Sequence, residues 1–176
     1  MERELSHPKK TTNKYSIKIP VLGLGVWGVP KNKTEKIVTT AINQGYKHID
    51  TAQIYGNERE VGKAIREKDG IFITTKLWES NFGYEKTIKA CEKSLSKLNN
   101  IDLFLMHSPH GPEIRKETWE AMQYLLKNKY VKAIGVSNFG VNHIKEILSW
   151  ADIGPCMNQI ELSPFLHRRE LVNFCR

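Results

Sequence analysis

Cysteine is scarce: Cys91, Cys156 and Cys175 are the only three in 176 residues, they stand far apart, and none lies in a Cys-x-x-Cys spacing. A disulfide frame or a zinc site is therefore not expected, and reduced thiols are. No uncharged apolar run approaches the roughly 18 residues a membrane span needs, and the opening MERELSHPKKTTNK lacks the apolar stretch of a leader peptide. A soluble, cytoplasmic protein is expected. The formal charge of +8 comes without any run of five basic residues interleaved with aromatics. Its lysines sit beside glutamates instead, as in KNKTEK, EREVGKAIREK and EKSLSK, which is the pattern of solvated helix faces. Nucleic acid is thus not an expected partner, whereas mild attraction of a phosphorylated small ligand is. A strand-to-helix GxGxxG turn is also missing. The nearest approach, GLGVWG, has Gly23, Gly25 and Gly28 with no helix directly behind.

What is present is 40% hydrophobic and 26% charged residues, enough for one core and for one domain over residues 1–176. Short apolar runs recur at 21–26, 46–49, 71–76, 101–106, 131–136 and 157–162. Each is followed by a segment of helical period: Ile37, Val38, Ala41 and Ile42 with Asn32 as cap and Gly45 as stop; Val61, Ala64 and Ile65 with Asn57 as cap; then stripes at Ile88–Leu98, Trp119–Leu126 and Val141–Leu148, and a tail from His167. Six strand–helix units with strands too apolar to face water predict a parallel sheet covered by helices. A doubly wound sheet and an eightfold barrel both fit. The missing glycine fingerprint, and a segment NKYSIKIPVLG (13–23) that reads as a small hairpin plugging one end, favour a TIM-type (β/α)8 barrel.

In such barrels the chemistry gathers where strands end, on the C-terminal face. Asp50 ends the second run, Tyr55 follows in the loop, Lys76 ends the third and His107 ends the fourth. Singly, each has a structural alternative: a loop-capping aspartate, a packing tyrosine, a lysine reaching out to solvent, a satisfied core histidine. Four ionisable groups at equivalent levels of successive strands outweigh those alternatives. A phenol needs its pKa lowered by about 3 units, roughly 4 kcal/mol, to trade protons near neutrality. An ammonium about 4 Å away supplies that much at an effective dielectric near 20. In a dry pocket the ammonium itself needs an anion to stay charged. The expected division is that Asp50 holds Lys76 charged, Lys76 acidifies Tyr55, and neutral His107 orients a carbonyl.

DTAQIYGNEREVG, ITTKLW, LFLMHSP, AIGVSNF and NQIELSPF, in that order, resemble the aldo-keto reductases, NADPH-dependent enzymes on a TIM-type barrel; the resemblance runs from about Lys18 to Arg176. It implies a catalytic tetrad of Asp50, Tyr55, Lys76 and His107, with hydride passing from NADPH to a carbonyl carbon and Tyr55 giving the proton. It also implies that Ser137, Asn138 and Gln159 bind the nicotinamide carboxamide, that Asp50 is a cofactor-binding residue as well, that Trp27 and Trp78 wall the substrate pocket, and that no metal takes part. Ser137 and Asn138 could otherwise cap the helix near Val141, and Gln159 could be a buried strand amide. Trp119 and Trp150 read as helix packing.

Where many members of the family have tryptophan after the histidine, this chain has Ser108, which is expected to open that side of the pocket. A full barrel takes about 250 residues and eight strands, so the chain is expected to encode about six units, lacking the loops that in the family grip the cofactor's pyrophosphate and 2'-phosphate. Three functions remain in play: an NADPH-dependent carbonyl reductase, a Schiff-base aldolase using Lys76, and a truncated remnant acting as a binding or regulatory protein. Substrate and oligomeric state are open.

Overall fold

The computed structural model describes residues 17–176. Its elements run β1 (Leu24–Gly25), α1 (Lys31–Asn43), β2 (His48–Asp50), α2 (Glu58–Ile65), β3 (Phe72–Leu77), α3 (Tyr84–Leu98), β4 (Leu103–Met106), α4 (Pro112–Lys127), β5 (Ala133–Ser137), α5 (Val141–Trp150), β6 (Asn158–Gln159) and α6 (Arg169–Cys175), with short 3-10 turns at Gln53–Tyr55 and Glu79–Asn81. All six strands are parallel and neighbour one another in chain order, β1 through β6. A doubly wound sheet reverses its strand order at a switch point. Because this one never reverses, it curls in a single direction into an incomplete (β/α)8 barrel with the helices outside.

The helices form where the apolar period says they should. α1 buries Thr34, Val38 and Ile42, one residue per turn along one stripe, and it stops before Gly45, whose φ of +96° a side chain would resist. Its start differs from expectation: Pro30 holds the cap position and Asn32 lies inside the first turn. In α2, Gly62 lets the helix backbone press against the end of α3, since a Cβ there would fall 1.8 Å from the Lys97 carbonyl oxygen. Asn57 does precede α2, but its amide is spent elsewhere. Thr51 Oγ1 donates to Asn57 Oδ1 at 2.8 Å and Asn57 Nδ2 donates to the Val26 carbonyl at 3.0 Å, tying the loops after β1 and β2 together.

Strand alternation sorts the side chains into two cores. Outward residues such as Ile49, Ile73, Phe104, Ile134 and Val136 pack under the helices in the larger cluster, with fully buried Trp119 and Met122 opposite them. Each such fully buried apolar side chain contributes on the order of 1.5–3 kcal/mol. Inward residues Phe72, Leu103, Leu105 and Ala133 form a second cluster at the end where the strands begin, with Ile17, Ile19 and Met157 packed against it. The hairpin expected over 13–23 lies partly outside the described residues; in 17–23 there is no paired strand, although Ile17 and Ile19 do help close that end. Beyond β6 the flank is open, with Leu162 52% and Phe165 98% exposed.

Candidate active site

The inward positions at the other end of the barrel are ionisable or polar. Asp50 is the last residue of β2, Lys76 the penultimate residue of β3, and His107 follows β4 directly. Tyr55 reaches the same place from the 3-10 turn after β2, where Gly56 in the left-handed region ends the turn. Lys76 is 1% exposed, and its ammonium donates to both Asp50 oxygens at 2.7 Å, to the Thr51 carbonyl at 3.0 Å and to the Tyr55 hydroxyl at 3.4 Å. All of its directions are filled. The Tyr55 ring lies edge-on to His107 at 5.8 Å between centroids, and the Trp78 ring does the same from the other side at 5.2 Å. The structure thus brings the four residues singled out in the sequence into one contiguous group.

The electrostatics depart from expectation at one member. The Tyr55 hydroxyl is pushed up to about 12, first by loss of water and then by the Asp50 carboxylate. The pull of Lys76 on the phenol is outweighed, because two carboxylate oxygens at 2.7 Å hold the ammonium and the phenol lies farther off at 3.4 Å. Tyr55 is accordingly a firmly protonated phenol at neutral pH, suited to giving a proton rather than holding a negative charge. Burial lowers the Lys76 pKa, and Asp50 opposes that fall. His107 falls to about 4, through burial and then the nearby Lys76 charge, so it is neutral at physiological pH as expected. Its Nδ1 is buried and without a hydrogen-bond partner among the described residues.

Ser137, Asn138 and Gln159 gather beside this group. Gln159 Nε2 donates to Asp50 Oδ1 at 3.2 Å, Ser137 Oγ donates to the Gln159 carbonyl at 3.1 Å, and Asn138 Nδ2 donates to the His107 carbonyl at 3.1 Å. The capping alternative fails, since Gly140 holds the cap position of α5. Asn138 adopts a left-handed φ of 62°, a conformation asparagine tolerates better than most residues. With both side-chain NH2 groups donating inward, the amide oxygens of Asn138 and Gln159 keep acceptor capacity. That donor–acceptor set fits a carboxamide such as that of nicotinamide.

The pocket residues separate. Trp78 stands against His107, but Trp27 is 79% exposed in the turn after β1. Ser108 is buried, and rather than leaving open space it donates to Glu79 Oε1 at 2.5 Å. Sequence reasoning missed Glu79, and also Gln53, whose Oε1 accepts from the Trp78 N–H and from Asn81 Nδ2, both at 3.0 Å, while Nε2 donates to the Ala90 carbonyl and Ser94 Oγ. It missed buried Arg115 as well, which pairs with Glu146, donates to the Pro109 carbonyl and lies 5.8 Å from the Phe139 ring, bracing the loop that carries His107. These partners lie up to 41 residues apart in the chain, so no local pattern announces them.

A strand-ordered half-barrel with ionisable groups gathered at the strands' C-terminal ends is an incomplete α/β barrel with a candidate site at its mouth. The description "Aldo/keto reductase family" matches residues 21–176, and the chain belongs to that family. Glyoxal reductase of Bacillus subtilis is 44% identical over 167 residues, covering 91% of this chain and 60% of that protein. The crystal structure of an aldo/keto reductase from Brucella melitensis superposes with a TM-score of 0.85 at 44% identity, over 89% of this chain and 64% of that one. A Bombyx mori aldo-keto reductase in complex with NADP gives 0.82 at 33% identity, over 89% and 59%. This chain spans about 60% of the length of the curated relatives it matches.

Proposed function

We propose that the chain carries the catalytic half of an NADPH-dependent reductase of aldehydes and ketones. Support comes from family membership, from a relative named glyoxal reductase and from a structural neighbour bound to NADP. The observation that carries the proposal is the single ammonium of Lys76, held by Asp50 and in contact with the Tyr55 hydroxyl, with His107 against the same phenol ring.

NADPH, when bound, supplies hydride to the carbonyl carbon. Asn138 and Gln159 would hold the nicotinamide carboxamide through their free amide oxygens, and Ser137 would fix Asn138 through the 3.1 Å bond between them. Tyr55 donates its phenolic proton to the developing alkoxide, a transfer that its high pKa leaves to the moment of reaction. As the phenolate forms, Lys76 at 3.4 Å stabilises it, and its ties to Asp50 prevent it from swinging away. Neutral His107 orients the carbonyl oxygen by donating a hydrogen bond. Trp78 keeps water from one side of that group.

The experiment is NADPH oxidation driven by an aldehyde. Tyr55→Phe is expected to lose about 10²–10⁴-fold in kcat/KM while circular dichroism stays unchanged; activity retained within about tenfold would overturn the proposal. The alternative is a protein that binds NADPH without turnover. Titration calorimetry with NADPH separates the two: saturable binding with no turnover of any aldehyde supports the second.

A further inference from the structure

Glu79 has no part in the chemistry above, yet it sits at the rim of the same group. It follows Trp78 and opens the turn Glu79–Asn81. Its Oε1 accepts from Ser108 Oγ at 2.5 Å and lies 2.8 Å from His110 Nδ1, and the His110 backbone N–H donates to Ser108 Oγ at 3.4 Å. Ser108 is the residue directly after His107, so the clamp joins the loop after β3 to the loop after β4 beside the carbonyl-orienting imidazole. Oε2 receives no hydrogen bond from any described residue, and the side chain is 30% exposed, so one carboxylate oxygen remains available. The nearest buried cation, Lys76, is committed to Asp50. Glu79 therefore places a negative charge at the mouth, and among the described residues no lysine or arginine forms an ion pair with it. The bond from Ser108 holds its carboxyl below the usual range, which keeps it ionised at neutral pH.

We propose that Glu79, fixed in place by Ser108, sets the substrate class: it rejects carbonyl compounds bearing a carboxylate or phosphate next to the carbonyl and favours those bearing a hydroxyl there. This rests on the reductase function proposed above. Two charges of one sign brought together in a partly desolvated mouth repel, whereas a substrate hydroxyl donates a charge-assisted hydrogen bond to Oε2. A site built to accept a hydrogen bond also discriminates strongly against a group that has none to give. The sequence predicts a pocket opened by Ser108 and walled by two tryptophans. With Trp27 in solvent and Ser108 bound to a carboxylate, the rim is polar instead.

The test compares glycolaldehyde with glyoxylate, two-carbon aldehydes differing in a hydroxymethyl against a carboxylate. The wild-type chain is expected to show the higher kcat/KM for glycolaldehyde with NADPH. Glu79→Gln is expected to shrink that ratio on the order of tenfold, chiefly by improving glyoxylate, while Glu79→Asp, which keeps the charge, holds it within about threefold. Ser108→Ala frees the carboxylate without removing it and is expected to shrink the ratio by a smaller factor. It decides the matter if Glu79→Gln does not fold. A ratio unchanged in Glu79→Gln, or both substrates falling by one common factor, assigns Glu79 to loop support alone and overturns the proposal. Turnover of neither aldehyde by a wild-type chain that reduces other aldehydes overturns this proposal alone; turnover of no aldehyde at all overturns the reductase function, and this proposal with it.

Discussion

The two ends of the barrel interior are built from the same strands and have opposite chemistry. Reading inward positions from start to end, β3 gives Phe72, Thr74, Lys76; β4 and its exit give Leu103, Leu105, His107; β5 gives Ala133, Gly135, Ser137; β6 and the residue before it give Met157, Gln159. The floor is apolar and the mouth is ionisable. A period of two decides only that a residue faces inward; height along the strand decides whether it meets packed side chains or the cleft. The floor can therefore supply stability that the mouth forgoes, since buried charges cost desolvation that their pairing only partly returns.

The sharpest way to probe that division is to cut the pair at the mouth. Lys76→Met leaves Asp50, 17% exposed, without its cation, and the expected loss is about 3–5 kcal/mol in urea unfolding together with activity. Adding Asp50→Asn should recover much of the stability and none of the turnover. A single variant as stable as wild type would show that the pair is not desolvated. At the floor, Leu105→Ala removes a fully buried side chain, with an expected cost of about 2–5 kcal/mol and unchanged kcat per folded molecule. Loss of kcat at the floor would erase the distinction between the ends. Gly135→Ala probes the same layer from the other side: its Cβ would sit 2.8 Å from Leu105 Cδ2 and from the Met157 carbonyl oxygen, for about 1–3 kcal/mol of overpacking. Placed on Leu105→Ala it should cost less, because one of the two clashes is gone; strict additivity would mean the layer does not pack as described.

The strand–helix alternation, the inward placement of Asp50, Lys76 and His107, and the parallel order were legible because each follows from local periodicity. Strand bounds differ from the apolar runs by up to three residues, most at β1 and β6, where the runs extend past the residues that pair. Helix caps were read wrongly at Asn32, where Pro30 already stood at the helix entry, and incompletely at Asn57, whose amide has stronger partners in two loops. The sign of the Tyr55 shift was misjudged for a related reason: the sequence shows that a lysine is near, not that two carboxylate oxygens have taken its charge first. Glu79 escaped notice because its meaning depends on Ser108, 29 residues away. Pairwise chemistry across loops is what a one-dimensional pattern does not carry.

The smallest expected effect, and a gentle test of the mouth, is the response to acid. His107 has its pKa lowered to about 4, and His48, whose Nε2 lies 2.8 Å from Thr74 Oγ1 within the barrel, is lowered too, both chiefly by burial. An unfolded chain binds protons at a histidine below about 6.5, while His107 in the folded chain resists until nearer 4 and His48 is shifted in the same direction. The stabilisation from His107 is thus complete above pH 6.5 and is lost as the pH falls towards 4. Allowing for a half-exposed ring, His107 accounts for about 1 kcal/mol between pH 7 and 5. Urea unfolding at the two pH values should show this loss in wild type and a smaller one in His107→Gln. The imidazole carbon shifts of His107 should stay those of the neutral ring at pH 5.5. A histidine at the mouth that titrates near 6.5, as an exposed one does, would mean that this end is as wet as the surface and that its chemistry lacks the dry surroundings from which Lys76 draws its strength.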